Sequence, residues 1–250
     1  MPLKDVHRER ILRVNLTCEI LRENEFHVSQ NDTDQTPSLK GKVIAVNEKH
    51  KILFCVIAKV GATNWRQAFL KLAGTYKENV GIYQQPIKSI TGFKPAAQMS
   101  MLKTYTKVMF VRHPFERLLS AYLDKFIENP DYSFLKQYGK AIRKTANSNG
   151  SLDGSLTFDK FVSFLLKTRQ RNRHWMMYSD SCDPCRIQYD FIGKFDTLQS
   201  DIRYISDTLN MTLDFAKTAG HATGSTNRTS SFYSLLSKEQ ILGLYKIMKM

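Results

Sequence analysis

The sequence predicts an α/β fold in which helices flank a parallel β-sheet, because two units of strand, polar turn and helix follow one another. In the first unit, the continuous apolar run from Ile52 to Ala58 is typical of a buried strand. A helix is predicted from Asn64 to Ala73, and Gly74 ends it. In the second unit, the stretch KVMFV from Lys107 to Val111 precedes a helix that begins at Pro114, a residue type favoured at the first helical position.

Four further helices are predicted from apolar residues that recur every three to four positions. They cover residues 1–25, 157–169, 196–209 and 237–250. The last of them has Ser237 as its N-cap and Gln240 at the position that completes a capping box. Residues 29–42 and 144–155 are predicted as loops from their polar residues, glycine and proline. We expect residues 1–250 to form a single domain, which their number allows.

The chain is strongly basic, since 37 Lys and Arg residues against 23 Asp and Glu residues give a formal net charge of +14. Such a surface attracts polyanions and raises their concentration near the protein. Nucleic acid, an anionic membrane, uronic-acid glycans and phosphorylated cofactors all fit, and charge alone does not choose among them. A basic nucleic-acid-binding module has no other support, because the sequence lacks the aromatic and basic signature of an RNA-recognition or zinc-finger module.

Five Asn-x-Ser/Thr sequons indicate passage through a secretory-pathway lumen, unless Asn, Ser and Thr merely cluster in loops. The sequons begin at Asn15, Asn31, Asn149, Asn210 and Asn227. No apolar run reaches the ~18 residues that span a bilayer. The charged segment from Met1 to Arg13 also lacks the apolar centre of a signal peptide. We therefore expect that a signal-anchor precedes the given sequence.

The segment from Ala58 to Trp65 combines a basic residue, a glycine and short polar side chains between a strand and a helix. A loop in this position directs backbone N–H groups beyond the sheet edge, and the helix dipole adds positive potential, so an anion can bind there. Lys59 adds a positive charge, and Thr63 and Asn64 add hydrogen-bond donors. Because the lysine precedes the glycine, the segment is not a Walker A loop, which argues against nucleotide hydrolysis. The alternative is an ordinary turn between strand and helix, in which Gly61 relieves backbone strain.

A second basic residue, Arg112, is predicted at a strand end on the same edge of the sheet. Its planar guanidinium suits a bidentate phosphate contact, and Ser120, two turns into the following helix, could reach the same anion. Two basic strand ends in one parallel sheet could hold two phosphates, since ligands of open α/β sheets lie beyond the carboxyl ends of the strands. We expect Arg117, in the same helix, to form an intrahelical salt bridge instead.

The third segment contains a His-Trp pair that begins at His174 and, further on, Cys182 and Cys185 in C-x-x-C spacing. A lone C-x-x-C could be redox-active or half of a zinc site, but no second C-x-x-C or H-x-x-H accompanies it. In an oxidising lumen structural disulfides are favoured. The pairing stays open: Cys182 with Cys185, or either of them with Cys18 or Cys55.

Together, the three segments resemble the Golgi carbohydrate sulfotransferase family that includes the chondroitin and dermatan 4-O-sulfotransferases. That family has a loop of the form P-K-[VA]-x-x-[ST]-N-W and a block of the form R-[HD]-P-F-x-R-L-x-S-A-Y. A later block reads H-W-x-P, then C-x-P-C-x-[IV]-x-Y-D-x-[IV]-G-K. All three occur here in order, and the likeness extends from Arg8 to Tyr245. The resemblance implies a P-loop-like sulfotransferase fold, with 3′-phosphoadenylyl sulfate (PAPS) as sulfate donor and no metal.

The resemblance also implies roles for individual residues in donor binding. Lys59 would contact the bridging oxygen and the 5′-phosphate of PAPS and would stabilise negative charge on the departing phosphate oxygen. Arg112 and Ser120 would hold the 3′-phosphate. The rest of the donor cradle would consist of Val60, Gly61, Ala62, Thr63, Asn64 and Trp65.

Transfer to a sugar hydroxyl also needs a base that removes its proton. The candidates are His174, His113 and a carboxylate such as Asp190. Two of them have a structural alternative. His113 could cap the turn before Pro114, and His174 could be a packed structural residue.

The acceptor side departs from the family pattern. Ala58 replaces the usual proline and Ala62 stands where a cysteine is common, and neither change removes a charge. Met177, however, stands where the His-Trp block has a proline. The given sequence also ends before the aromatic-acidic C-terminal tail of the family, which we expect to lie beyond it. An inactive glycan-binding relative is therefore the alternative function. For an active enzyme, we expect an anionic glycan acceptor such as chondroitin or dermatan and no nucleic-acid partner. We also expect the Golgi lumen, with type II anchoring in the Golgi membrane through the preceding segment.

Overall fold

The computed structural model describes residues 2–26, 39–145, 154–215 and 226–248. These residues form two compact units. The sheet unit contains residues 2–112 and 178–215, and the helical unit contains the described residues from 113 to 177 together with 226–248. Most of the two predicted loops, as well as Asn31 and Asn149, lie outside the described residues.

The sheet of the described residues has four strands in the spatial order β1-β2-β3-β4. They are β1 (Ile44–Asn47), β2 (Ile52–Cys55), β3 (Thr106–Val111) and β4 (Phe191–Lys194). Strands β2, β3 and β4 are parallel, which confirms the predicted α/β fold with a parallel sheet. The sequence does not predict β1, which pairs with β2 in antiparallel register and makes the sheet mixed. Its four apolar and polar residues are too few for periodicity to identify a strand.

The predicted helices are confirmed to within a few residues. In chain order the helices are α1 (Leu3–Phe26), α2 (Ala62–Ala73), α3 (Pro95–Thr104), α4 (Pro114–Tyr122), α5 (Tyr132–Phe134), α6 (Lys140–Arg143), α7 (Phe158–Thr168), α8 (Tyr178–Cys182), α9 (Leu198–Thr208), α10 (Thr226–Tyr233) and α11 (Lys238–Met248). Turns of tighter pitch lie at Ile90–Gly92 and Phe195–Thr197, and turns of wider pitch at Leu123–Glu128 and Leu135–Gly139. Within the described ranges, no helix combines the length and apolarity of a membrane span.

An aromatic cluster packs α2 against the sheet. The ring centroid of Trp65 lies 4.5 Å from that of Phe54 and 4.4 Å from that of Phe110, and all three side chains are buried. Gly193 of β4 lies against the same cluster, where an added methyl group would come within 2.2 Å of the Phe110 ring. A side chain at this position would therefore displace Phe110, and glycine lets β4 pair closely with β3.

A buried carboxylate attaches α1 to the rest of the sheet unit. The carboxylate of Asp201 lies 3.2 Å from His7 Nε2 and 2.8 Å from Arg10 Nη1. It also accepts hydrogen bonds from the backbone N–H of Lys194 at 2.8 Å and from the hydroxyl of Thr197 at 2.7 Å. Burial alone would raise the pKa of Asp201, but these hydrogen bonds outweigh burial and lower the pKa to about 2. The carboxylate is therefore ionised at neutral pH.

Two disulfides join distant parts of the sheet unit. Cys18 of α1 pairs with Cys185, and Cys55 of β2 pairs with Cys182 of α8. The pairing of Cys182 with Cys185, one of the alternatives left open by the sequence, is thereby excluded. The bonds close loops with sequence separations of 167 and 127 residues. In the chain-entropy model, cross-links of such span restrict the unfolded chain more than short ones do.

The helical unit has its own apolar core, built around the fully buried side chains of Leu118, Ile142 and Phe161. Arg117 of α4 is also buried. Its guanidinium donates to the carbonyl oxygen of Met176 at 2.6 Å and to that of Arg173 at 3.0 Å. Arg117 thus joins α4 to the segment after α7, a tertiary role that the sequence does not indicate.

The capping box predicted at the start of α11 is confirmed. The backbone N–H of Ser237 donates to Gln240 Oε1 at 2.8 Å, and the backbone N–H of Gln240 donates to Ser237 Oγ at 3.2 Å. The amide nitrogen of Gln240 also donates to the carbonyl oxygen of Asp159 at 3.0 Å. The cap therefore fixes both the start of α11 and its contact with α7.

Candidate functional site

The carboxyl ends of β2, β3 and β4 share one edge of the sheet, because these strands are parallel neighbours. Lys59 follows β2 after a short turn, Arg112 directly follows β3, and Phe195 directly follows β4. Ligands of open α/β sheets bind beyond such an edge. The sheet unit thus places the predicted donor loop and Arg112 on the same edge.

The loop after β2 contains two residues in the left-handed region of backbone conformation. The φ angle of Lys59 is 69° and that of Gly61 is 71°. Glycine adopts this conformation at little cost, but a lysine there stores roughly 1 kcal/mol or more of strain, and such strain is concentrated at functional sites. The side chain of Lys59 is half-buried. The loop therefore holds a basic residue in a backbone conformation that an ordinary connection between strand and helix does not need.

Helix α2 begins at Ala62, and its N-terminus suits an anion. Its first N–H groups have no acceptor within the helix, and Gly61 at the N-cap has no side chain that could supply one. The first turn contains no acidic residue, so no carboxylate cancels the positive end of the helix dipole. Thr63 is exposed and Asn64 is half-buried in this turn. These features match the anion site that the sequence predicts from the loop.

Arg112 is buried, and neighbouring groups fix its position. Its guanidinium carbon lies 4.7 Å from the centre of the Phe195 ring, a cation–π contact. Its backbone N–H donates to the hydroxyl of Tyr178 at 3.0 Å, and that hydroxyl donates to the carbonyl oxygen of Arg112 at 2.7 Å. A guanidinium held on an aromatic face keeps its planar fork oriented and suits a bidentate contact with phosphate.

Phe195 connects the loop and the arginine, although sequence analysis did not single it out. A methyl group on Gly61 would lie 3.8 Å from the Phe195 ring, and the guanidinium of Arg112 stacks on that ring. The same methyl group would lie 3.3 Å from Phe215. The two parts of the predicted site therefore converge on one aromatic side chain. No sequence signal indicates Phe195, because β4 is itself too short for periodicity to identify.

A second missed residue, Tyr83, contacts the loop directly. Its hydroxyl oxygen lies 2.7 Å from Thr63 Oγ1. Arg66 of α2 fixes the segment that carries Tyr83, because its Nε donates to the carbonyl oxygen of Ile82 at 2.7 Å and its Nη2 to that of Gln85. The buried side chain of Gln85 then bonds three backbone groups of the preceding segment. No motif in this turn-rich segment indicates such a contact.

Trp65, the last residue of the predicted donor loop, is a core residue. Its side chain is only 2% exposed and packs among the phenylalanines that join α2 to the sheet. Val60 is likewise buried, whereas Gly61 and Ala62 are half-buried. The residues predicted to bind the donor thus differ in exposure. Lys59 and Thr63 reach the surface, whereas Trp65 belongs to the core.

The other predicted residues lie in the helical unit. His113 is exposed and caps α4, since its Nδ1 accepts from the backbone N–H of Phe115 at 3.3 Å. This geometry matches the capping alternative. Ser120 is buried within α4. His174 is buried too, and its Nδ1 lies 2.8 Å from Asn172 Oδ1, in agreement with a packed structural residue.

Asp190 lies at the opposite edge of the sheet. It precedes β4, and its carboxylate accepts from the backbone N–H of Lys107, near the start of β3, at 2.7 Å. The ammonium of Lys107 lies 3.1 Å from the same carboxylate. Amino ends and carboxyl ends of parallel strands lie on opposite edges, so Asp190 is wrong as a candidate base beside Lys59.

Comparison with known proteins identifies relatives that match most of the chain. Residues 42–250 match the model of the sulfotransferase family. Carbohydrate sulfotransferase 11 of Mus musculus is 32% identical over 229 residues, which cover 84% of this chain and 65% of that protein. Carbohydrate sulfotransferase 8 of Homo sapiens is 35% identical over 194 residues, or 72% of this chain and 45% of that protein. Carbohydrate sulfotransferase 10 of Mus musculus is 32% identical over 222 residues, or 80% and 60%.

The chain spans less than two thirds of the length of these relatives. No solved structure matches it significantly. The match to the family model nevertheless includes every residue of the predicted site, from Lys59 to His174, and covers parts of both structural units. The chain therefore belongs to the sulfotransferase family.

Proposed function

We propose that the protein is a carbohydrate sulfotransferase that transfers a sulfuryl group from PAPS to a glycan hydroxyl. The observation that carries this proposal is the convergence of the Gly61 loop and Arg112 on Phe195. Two anion-binding elements at one sheet edge suit a donor that has phosphates at both ends of its nucleoside. The family and the three relatives support the same reaction. In this proposal both units form one catalytic domain.

The proposed chemistry depends on positioning and charge. Sulfuryl transfer resembles phosphoryl transfer, in which an in-line displacement gains most from orientation and electrostatic stabilisation. PAPS supplies the sulfuryl group. Lys59 and the N–H groups at the start of α2 stabilise the charge that develops on the departing phosphate oxygen. Arg112 holds the 3′-phosphate, and the reaction as proposed uses no metal ion. Ser120 keeps the 3′-phosphate contact that the family resemblance implies as a separate prediction.

Of the two histidines proposed as the base, the geometry favours His113. It is exposed, whereas His174 is buried. Its Nδ1 accepts the N–H of Phe115, so Nε2 is the atom that would take the proton of the sugar hydroxyl. It also directly follows Arg112 in the sequence. In this proposal His174 has a structural role, in which its contact with Asn172 orients that side chain.

For the acceptor we propose an anionic glycan of the chondroitin or dermatan type. Each disaccharide of such a chain carries a carboxylate, and the net charge of +14 would attract it. Salt would weaken this attraction. The alternative acceptor is a related terminal sugar on a glycoprotein. A panel of acceptors distinguishes it from chondroitin and dermatan.

We place the reaction in the Golgi lumen, with the enzyme anchored as a type II membrane protein. Two disulfides fit an oxidising compartment. Of the five sequon asparagines, Asn15 and Asn210 are exposed in the described residues, where a glycan could be attached. N-glycans on Asn15 and Asn210 in protein secreted from mammalian cells would support this location. The absence of glycans at both residues would oppose it.

The test is an incubation of the protein with ³⁵S-labelled PAPS and a panel of desulfated chondroitin, dermatan and neutral oligosaccharides. We expect label on the uronic-acid polymers. Label on none of the glycans, from folded protein, would overturn the proposal. If the protein then still binds adenosine 3′,5′-bisphosphate, it is the inactive relative that the departure at Met177 suggests.

A further inference from the structure

The positive charge is distributed unevenly within the helical unit. Between residues 132 and 152 the sequence contains Lys136, Lys140, Arg143 and Lys144 but no Asp or Glu. All four side chains are exposed. This part of the helical unit therefore carries four positive charges and no negative one.

The local structure turns these cations to the same side. Tyr138 and Ile142, which alternate with them, are buried in the core of the helical unit. The hydroxyl of Tyr138 also accepts from Asn172 Nδ2 at 3.1 Å, which ties this turn to the segment after α7. On a helix, residues three and four positions apart are neighbours on one face. Lys140, Arg143 and Lys144 therefore form a continuous basic surface on α6 and its end.

The basic surface lines an open cavity of about 570 Å³. The described residues that line it are Lys140, Arg143, Lys144 and Gly154. None of the three cations forms a salt bridge with another described residue. Like charges at neighbouring helix positions repel each other and destabilise the helix by a few tenths of a kcal/mol per pair. An anion in the cavity would remove this cost.

The shape and the lining indicate the class of anion. The cavity is open, so one segment of a long anionic chain can lie in it while the rest of the chain continues beyond it. Among the residues that the structure describes, the lining has no aromatic side chain on which a nucleobase could stack. These features favour a uronic-acid polysaccharide over a nucleic acid.

We infer that Lys140, Arg143 and Lys144 bind the polyanionic acceptor chain, at a surface separate from the residues proposed for the donor. This inference rests on the proposed function and adds to it. The proposed donor loop lies in the sheet unit, whereas this surface belongs to the helical unit. The surface would hold an extended chain while one of its sugars reacts, which raises affinity for long acceptors more than for short ones.

The experiment compares two triple variants that each remove three positive charges. The test variant is K140Q/R143Q/K144Q. The control is K40Q/K49Q/K103Q, whose lysines are exposed in the sheet unit. Binding of desulfated chondroitin polymer, of a chondroitin tetrasaccharide and of single-stranded DNA is measured without donor, at low and physiological salt. Rates of transfer to the polymer and to the tetrasaccharide are measured with PAPS.

We expect the test variant to bind the polymer about tenfold more weakly than the control does, with a smaller difference at higher salt. The KM for the polymer should rise by a similar factor, and transfer to the tetrasaccharide should change less than threefold. Equal losses in both variants would mean that only net charge matters, and polymer binding unchanged in the test variant would assign the chain to another surface. Either result overturns the inference. Preferential loss of DNA binding would overturn it in favour of a nucleic acid.

The outcomes also separate this inference from the proposed function. If the wild-type protein transfers no sulfate but its polymer binding depends on these three residues, the surface stands and the proposed reaction fails. If transfer to the polymer is the same in both variants and the wild type, the surface fails and the reaction stands.

Discussion

The hydroxyl oxygens of Thr63 and Tyr83 lie 2.7 Å apart, so a threonine of the proposed donor loop is held by a residue twenty positions further along the chain. Of the two residues, only Thr63 belongs to a regular secondary-structure element. Thr63 lies in the first turn of α2, whereas Tyr83 is 63% exposed and depends on Arg66 and Gln85 for its position. Tyr83 can therefore orient the threonine without being part of the core.

We predict that Y83F raises the KM for PAPS about three- to tenfold and changes kcat less than twofold, since one hydrogen bond contributes about 1 kcal/mol. The melting temperature should not change, because the Tyr83 side chain is largely exposed. Tyr132, which is 79% exposed, supplies the control variant Y132F. An unchanged KM in Y83F would show that the threonine does not need this partner.

Lys59 is expected to be essential for transfer. K59A should lower kcat by at least about a hundredfold, the effect of removing one preorganised group from a site of developing charge. Lys51 gives a matched control, because it also has a positive φ, 52° against 69° for Lys59, and lies in the turn between β1 and β2. Both alanine variants change the backbone strain alike. Comparable loss of activity in K51A would assign the effect to strain.

Arg112 is expected to require a guanidinium rather than a positive charge alone. R112K keeps the charge but loses the planar fork and the stacking on Phe195. Isothermal titration should show adenosine 3′,5′-bisphosphate binding about tenfold more weakly to R112K. R203K, on the exposed side of α9, should bind as the wild type does. Equal affinities for all three proteins would remove Arg112 from the site.

The close passage of β4 past Phe110 gives a prediction about stability. G193A should lower the free energy of unfolding by about 3 kcal/mol, because the new methyl group would overlap the ring and overpack the core. Urea denaturation measures the change. G92A is the control, since a methyl group at Gly92 would meet no atom within 4 Å. A G193A protein as stable as G92A would mean that Phe110 relocates without cost.

The Asp201 cluster predicts how stability depends on pH. The pKa of Asp201 falls from the model-compound value of 3.8 to about 2 on folding, so its ionised form stabilises the fold above about pH 4. That contribution, about 2 kcal/mol, disappears as the pH falls through 2. The difference in unfolding free energy between wild type and D201N should therefore shrink between pH 4 and pH 2. A constant difference over this range would contradict the prediction.

The sequence predicts two of the three parallel strands and six of the eleven helices in the described residues, because their signals are local. An apolar run such as Ile52 to Cys55 and a glycine such as Gly74 carry the information themselves. The strand β2 nevertheless ends at Cys55 rather than at Ala58, because the chain turns at Lys59 in a conformation that composition does not encode. The strands β1 and β4 are too short for periodicity, and pairing with a neighbour defines them.

The site was predictable as far as single residues at strand ends are concerned. The position of Lys59 and Arg112 at one edge of the sheet follows from the sequence, because each comes after a buried parallel strand, and their binding roles are predictions. Phe195 and Tyr83 were not found, since an aromatic residue beside a loop looks like any surface or core residue until the fold brings it there. The choice between His113 as a cap and His113 as a base likewise depends on geometry.

The disulfide connectivity has a consequence for biosynthesis. Cys18 and Cys55 have no native partners until Cys182 and Cys185 have been made, and by then the whole intervening helical segment has been synthesised. Until that point, Cys18 and Cys55 can pair with each other, and this bond is absent from the folded protein. Efficient maturation therefore depends on keeping these two thiols reduced or on rearranging that premature bond by thiol–disulfide exchange.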